Sequence, residues 1–180
     1  IDSDRVTAIP LGLSNNYSPK NLRSEDYINL NSNIKNLPIT MYVNFRITNF
    51  KERELLYEQF HSYDWAKINK PNISLGSYIT DLNTSTFTLA PWGNGVDTHR
   101  IWEAIYAGSI PITKYHRTFK GMKNLPILFI NDYKEITYEL LEQFCKKNNY
   151  KNFSREELTV GFWVNKINSE GRIESNLNEI

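Results

Sequence analysis

Between Pro91 and Gly108 the chain sets two glycines, two carboxylates and an arginine at spacings that suit anion recognition. Gly93-Asn94-Gly95 places glycines two residues apart, where a backbone can turn tightly and come close to a ligand. Asp97 stands where it can cap a helix starting at Thr98. The N–H groups freed at a helix start, together with the helix dipole, favour a negative charge. Arg100 falls in the first turn and can make a bidentate contact to phosphate. Glu103 lies three residues on, on the same face, and a carboxylate there can accept hydrogen bonds from two ribose hydroxyls. Trp92 heads the loop, where it can wall the site or stack on a base; a packing role accounts for it equally well. The candidate substrate-binding residues are therefore Trp92, Gly93, Asn94, Gly95, Asp97, Arg100 and Glu103, and no catalytic residue is assigned. The same spacing also fits a plain glycine turn, an aspartate cap and a surface ion pair between Arg100 and Glu103. It is neither the dinucleotide fingerprint, whose third glycine is absent, nor a P-loop, because no Gly-Lys-Ser/Thr follows.

Such a loop needs a strand before it and a helix after it. Phe87–Ala90 reads as the strand, and residues 98–107 as the helix, ended by Gly108. Further strands are expected over Arg5–Ile9, Ile39–Phe45, Ile110–Thr113 and Leu125–Ile130. A helix capped by Asn49 carries a stripe of Phe50, Leu55, Leu56 and Phe60. A short helix is expected over Ser77–Leu82, another from Asp132 through Phe144, and a last one from the capping-box spacing at Ser154 to about Asn165. Residues 13–37 read as a long loop, and residues 166–180 as a polar tail, mobile or docked elsewhere. Strands and helices alternate, which predicts a three-layer α/β/α, Rossmann-like domain with a mostly parallel sheet, spanning 1–180 as one domain. Ligands in such folds sit at the carboxyl ends of the strands.

Composition sets the outer limits. With 40% hydrophobic and 23% charged residues the chain is an ordinary globular one. Its formal charge of +1 argues against a nucleic-acid binder. No apolar run is long enough to span a bilayer. The chain begins at Ile1 and reads as a fragment or processed piece; taken alone it favours the cytoplasm without fixing a compartment. Cys145 is the single cysteine, lies in a helical pattern and reads as a small apolar residue. His61, His99 and His116 have no metal-ligand spacing, so no metal is expected. Lys114, His116, Arg117 and Lys120 follow a strand end; a solvated basic loop is favoured over a diphosphate contact.

Residues Ser85 to Ile112 resemble the C-terminal domain of GT-B glycosyltransferases, and exostosin-like members most closely. The shared pattern is a Ser-x-Phe strand, a Pro-x-Gly loop, a helix bearing Arg, then Glu103-Ala104 and Gly108-x-Ile110-Pro111. The motif-bearing part covers about residues 74–113. The resemblance implies that Glu103 binds the donor ribose and that the Gly93–Gly95 loop, with Arg100, faces phosphate. It implies a glycosyltransferase of which this chain is the donor-binding half, with a second Rossmann-like domain supplying the site for a glycan or other acceptor. The nucleotide-sugar would be a substrate, with no cofactor beyond it, and nucleoside diphosphate would be displaced from the activated sugar. The alternative is a stand-alone nucleotide or nucleotide-sugar binding module without catalysis. Two departures stand out. Gly95 occupies the position, eight before Glu103, where many retaining relatives carry an acid. Trp92 stands where many exostosin-like members have Arg, which leaves Arg100, Lys114 or Arg117 to meet phosphate. Asp2-Ser3-Asp4 has the Asp-x-Asp spacing that binds metal in the other large glycosyltransferase fold, but before the first strand it reads as a solvated terminus.

Overall fold

The strands are short and rich in β-branched and aromatic residues; an α-helix follows each of them except the fourth, which reaches the fifth through a single 3-10 turn. The computed structural model describes residues 7–14, 22, 26, 38–47, 51–122, 124–148 and 156–177, the last eight by backbone only. Strands β1 (Met41–Val43), β2 (Ala66–Ile68), β3 (Phe87–Leu89), β4 (Ile110–Lys114) and β5 (Leu128–Ile130) form one sheet in the order β2-β1-β3-β4-β5. All four pairings are parallel. Five helices accompany them: α1 (Lys51–Phe60), α2 (Leu75–Thr84), α3 (His99–Tyr106), α4 (Tyr138–Lys147) and α5 (Val160–Leu177).

Strand alternation builds the three layers. Met41, Val43, Phe87, Leu89, Ile110, Ile112, Leu128 and Ile130 face one side, against Leu56 and Phe60 of α1 and Leu141 of α4. On the other side Tyr42 meets Tyr78 and Leu82 of α2, with Ala107 and Leu22. Ile101, Trp102 and Ile105 of α3 pack there with Phe119, Met122, Leu125 and Ile127. Full burial of each such side chain contributes about 1.5–3 kcal/mol. The expected three-layer α/β architecture is therefore present.

Gly108 ends α3 as expected. Its φ is +71°, and the N–H groups of Gly108 and Ser109 reach back to the carbonyls of Ile105 and Ala104 at 3.0 and 2.9 Å. This is a Schellman closure, which a residue with a Cβ enters only under strain.

Several boundaries differ from expectation. Thr7–Ile9 form no strand, and Arg5 and Val6 lie outside the described residues. Pro10 offers no N–H for a ladder, and Leu11 gives its own N–H to a side chain instead. Strand β2 was not anticipated; Ala66-Lys67-Ile68 is an edge strand too short to show a period. Strand β5 starts at Leu128, because the N–H of Ile127 closes onto the carbonyl of Leu125 at 2.8 Å around Pro126. Helix α2 is longer than expected, opening under the side chain of Ser74. Asp132 and Glu135 do form a capping box, but it starts one 3-10 turn; α4 begins later, capped by Thr137. Helix α5 does not stop near Asn165 but runs to Leu177; no proline lies in residues 166–177, and Gly171 costs only about 1 kcal/mol. Asn49, Phe50 and Ser154 lie outside the described residues, as do most of residues 13–37.

Candidate functional site

In a doubly wound sheet of order 2-1-3-4-5 the chain leaves β1 and β3 toward opposite faces, and a crevice opens at their carboxyl ends. The loops that follow β1 and β3 flank that crevice, and one side chain of α1 joins them. Arg53 donates from Nη1 to the carbonyl of Arg46 at 2.9 Å, from Nε to that of Trp92 at 2.9 Å, and from Nη2 to that of Pro91 at 3.1 Å. Its guanidinium also lies 5.6 Å from the centre of the Phe45 ring. Burial lowers its pKa, and the nearby charge of Arg100 adds to that.

The glycine loop owes its shape to this contact. A Cβ on Gly93 would stand 2.6 Å from Nη2 of Arg53, so glycine is needed for space. Neither Gly93 nor Gly95 has a positive φ; among the described glycines only Gly12 and Gly108 do. The N–H of Gly93 closes on the carbonyl of Gly95 at 3.0 Å, and Asn94 and Gly95 sit exposed at the tip.

Helices α2 and α3 both start at the carboxyl rim of the sheet, and their first turns meet. The Tyr78 hydroxyl lies 2.5 Å from Oε2 of Glu103 and 2.7 Å from Nη1 of Arg100. The guanidinium also covers the Tyr78 ring at 5.1 Å. Glu103 is 8% exposed and Tyr78 7%. Arg100 and Glu103 are thus joined through a phenol, in a buried arrangement rather than the surface ion pair the spacing allowed. Burial raises the Tyr78 pKa well above its ordinary value. Burial opposes the charge on Arg100, but Tyr78 and Glu103 outweigh it and leave the guanidinium pKa raised. The remaining N–H donors of Arg100 and Oε1 of Glu103 make no hydrogen bond among the described residues.

Asp97 is not the cap. The N-cap of α3 is Thr98, whose side chain makes no capping bond and whose buried Oγ1 has no hydrogen-bond partner among the described residues. Asp97 instead accepts from the Leu11 N–H at 2.7 Å on Oδ2 and from Nε1 of Trp102 at 2.8 Å on Oδ1. Nδ1 of His99 lies 2.8 Å from the carbonyl of Gly12. Residues 11 and 12 are thereby fastened beside the start of α3. Burial is the main cause of a raised Asp97 pKa, partly offset by the two donors.

Trp92 is half-buried on the β4 side of the loop. Its Nε1 donates to the carbonyl of Lys114 at 3.3 Å, and its ring meets His116 edge-on at 5.8 Å. Lys114 is ion-paired with Glu52, and its ammonium lies 4.8 Å from the Tyr133 ring centre and 5.8 Å from that of Trp92. His116 caps the 3-10 turn Arg117–Phe119, which leaves Arg117 and Lys120 exposed. The structure therefore brings Arg100 and Glu103 together, gives Asp97 a tethering role, and sets Trp92 and Lys114 against each other.

Three polar residues beside the site had no sequence signal. Asp81 is buried in α2 and holds Lys67 and Asn69; Asn44 donates to the carbonyls of Asn69 and Lys70 at 3.3 and 3.1 Å. Tyr78 is the third. Asp2 and Asp4 lie outside the described residues. Among the described residues no group of three His, Cys, Asp or Glu could hold a metal ion, and no helix is long and apolar enough to cross a membrane.

The family profile of the RXYLT1 C-terminal domain matches residues 47–170. That span takes in every candidate site residue from Trp92 to Glu103, as well as Arg53 and Tyr78. No curated protein matches the chain.

Proposed function

The chain belongs to the RXYLT1 C-terminal domain family, a glycosyltransferase-related one, and from that premise we propose that it is the donor-binding half of a glycosyltransferase. A nucleotide-sugar occupies the crevice over β1 and β3. The observation that carries this reading is Arg100: one N–H is committed to Tyr78, and the rest make no hydrogen bond among the described residues. A diphosphate supplies the acceptors that these donors and the first N–H groups of α3 need. Oε1 of Glu103, one turn further along α3, accepts from the ribose, the role implied by the exostosin-like motif. When the sugar leaves for its acceptor, negative charge grows on the phosphate, and fixed donors already aimed there stabilise it. The glycan or other acceptor is held by a second Rossmann-like domain.

Calorimetric binding of UDP, GDP, ADP and CMP tests this directly. One nucleotide should bind saturably. Arg100→Ala should weaken it about tenfold to a hundredfold, the worth of one or two charge-assisted hydrogen bonds. Failure of a folded sample to bind any of them would sink the reading.

A further inference from the structure

Arg100 and Glu103 carry opposite charges three residues apart on one helix, a spacing at which such side chains pair. Here a phenol from α2 stands between them. We propose that Tyr78 is a positioning residue that keeps Arg100 and Glu103 from pairing, so that the site distinguishes ribonucleotides from deoxyribonucleotides; this rests on the donor-site reading above.

The hydrogen-bond chemistry allows one arrangement. Arginine can only donate and an ionised carboxylate can only accept. The single proton of the Tyr78 hydroxyl must then point to Oε2 of Glu103, and its lone pair must face Nη1 of Arg100. Turning the hydroxyl would break both bonds at once. The ring itself is held by Leu22, Tyr42, Leu82 and Ala107, so the oxygen has a fixed place. One carboxylate oxygen is thereby pinned, and the other keeps a constant direction. Each of the two charged groups retains binding capacity that a direct ion pair would consume: acceptor sites on Glu103 and four N–H donors on Arg100. Without the phenol oxygen the two side chains can close on each other. The site would then lose its ribose acceptor and part of its phosphate donors together.

The test compares the nucleotide that binds best with its 2′-deoxy and 3′-deoxy forms, by calorimetry, on four proteins: wild type, Tyr78→Phe, Glu103→Gln and the double variant. Wild type should prefer the ribonucleotide by about tenfold, the worth of a hydrogen bond to a charged group. Tyr78→Phe should bring that preference close to one. The double variant should discriminate no worse than Glu103→Gln alone, because Tyr78 acts through Glu103. Retained preference in Tyr78→Phe, or losses that simply add, would overturn the proposal while leaving the donor site in place. Binding by wild type with no ribose preference would overturn it too, along with the ribose role of Glu103. No binding of any nucleotide would remove the donor-site reading itself. Should Tyr78→Phe fail to fold, Glu103→Asp makes the same test with Tyr78 intact. Its carboxylate is a methylene short of the phenol, so the preference should fall, and an unchanged preference would again overturn the proposal.

Discussion

Gly93 and Arg53 occupy adjoining space, with the guanidinium 2.6 Å from where a Cβ on the glycine would lie. Because that guanidinium is already held by three carbonyls, it cannot swing aside without losing them. We therefore expect Gly93→Ala to destabilise the protein by about 1–3 kcal/mol, as overpacking does. Gly95→Ala is the control. Its nearest contact would be 3.6 Å away and its φ is not positive, so we expect it to be neutral or to stabilise by up to about 1 kcal/mol. Urea denaturation of both variants decides; equal losses would refute the packing account.

Arg53 ties the loop after β1 to the loop after β3. Arg53→Lys keeps the charge but not the planar fork, and we expect it to cost about 1–3 kcal/mol. Nucleotide affinity should fall with it, since the crevice loses its brace. Chemical denaturation and calorimetry on the same sample would show both effects, and a lysine variant matching wild type in both would dismiss the brace.

Asp97 uses both carboxylate oxygens as acceptors, from Leu11 and Trp102. An asparagine can offer only one acceptor there, so Asp97→Asn should cost about 1–2 kcal/mol. Hydrogen exchange should show the Leu11 amide losing protection. The raised pKa of Asp97 has its own sign. The folded state binds this proton more tightly than the unfolded state, so the contribution is full below the ordinary carboxylate value. It is lost as pH rises through the folded value. Asp97→Asn should remove that part of the acidic pH dependence, and a denaturation series in the acid range would reveal an unchanged slope.

Burial raises the phenol pKa of Tyr42, to about 12, and raises those of Tyr57, Tyr78, Tyr106 and Tyr133. In the fold these groups hold their protons to higher pH than in the unfolded chain, whose phenols ionise near the ordinary value of about 10. Stability should therefore fall as pH rises from that value upward. Part of the phenolate absorbance should therefore appear at higher pH in the folded protein than in the denatured one, and rise further on unfolding. A phenolate titration of the folded protein that overlays that of the denatured protein would contradict this.

The run from Phe87 to Ile112 was legible because each signal in it is local: a β-branched and aromatic strand, a periodic helix and a stop at Gly108. Asp97 was misassigned for the same reason. An aspartate before a helix usually caps it, and nothing nearby announces a backbone N–H 86 residues away. Tyr78 could not be found at all. Its partners lie 22 and 25 residues on, and in sequence it is one more aromatic in an amphipathic helix. At Gly93 the need for glycine also comes from Arg53, a neighbour supplied by a distant helix that no local pattern announces.

The fastening of Leu11 and Gly12 to Asp97 and His99 bears on how the chain comes off the ribosome. This segment emerges before its partners, which are made 86 and 87 residues later. It must stay undocked while β1, α1, β2, α2 and β3 take shape, with Ile9 and Leu11 open to solvent throughout. Contacts of such long separation are the slow ones to close. Nascent chains arrested before residue 97 should therefore be cut by protease within residues 7–14, and chains released after α3 should not.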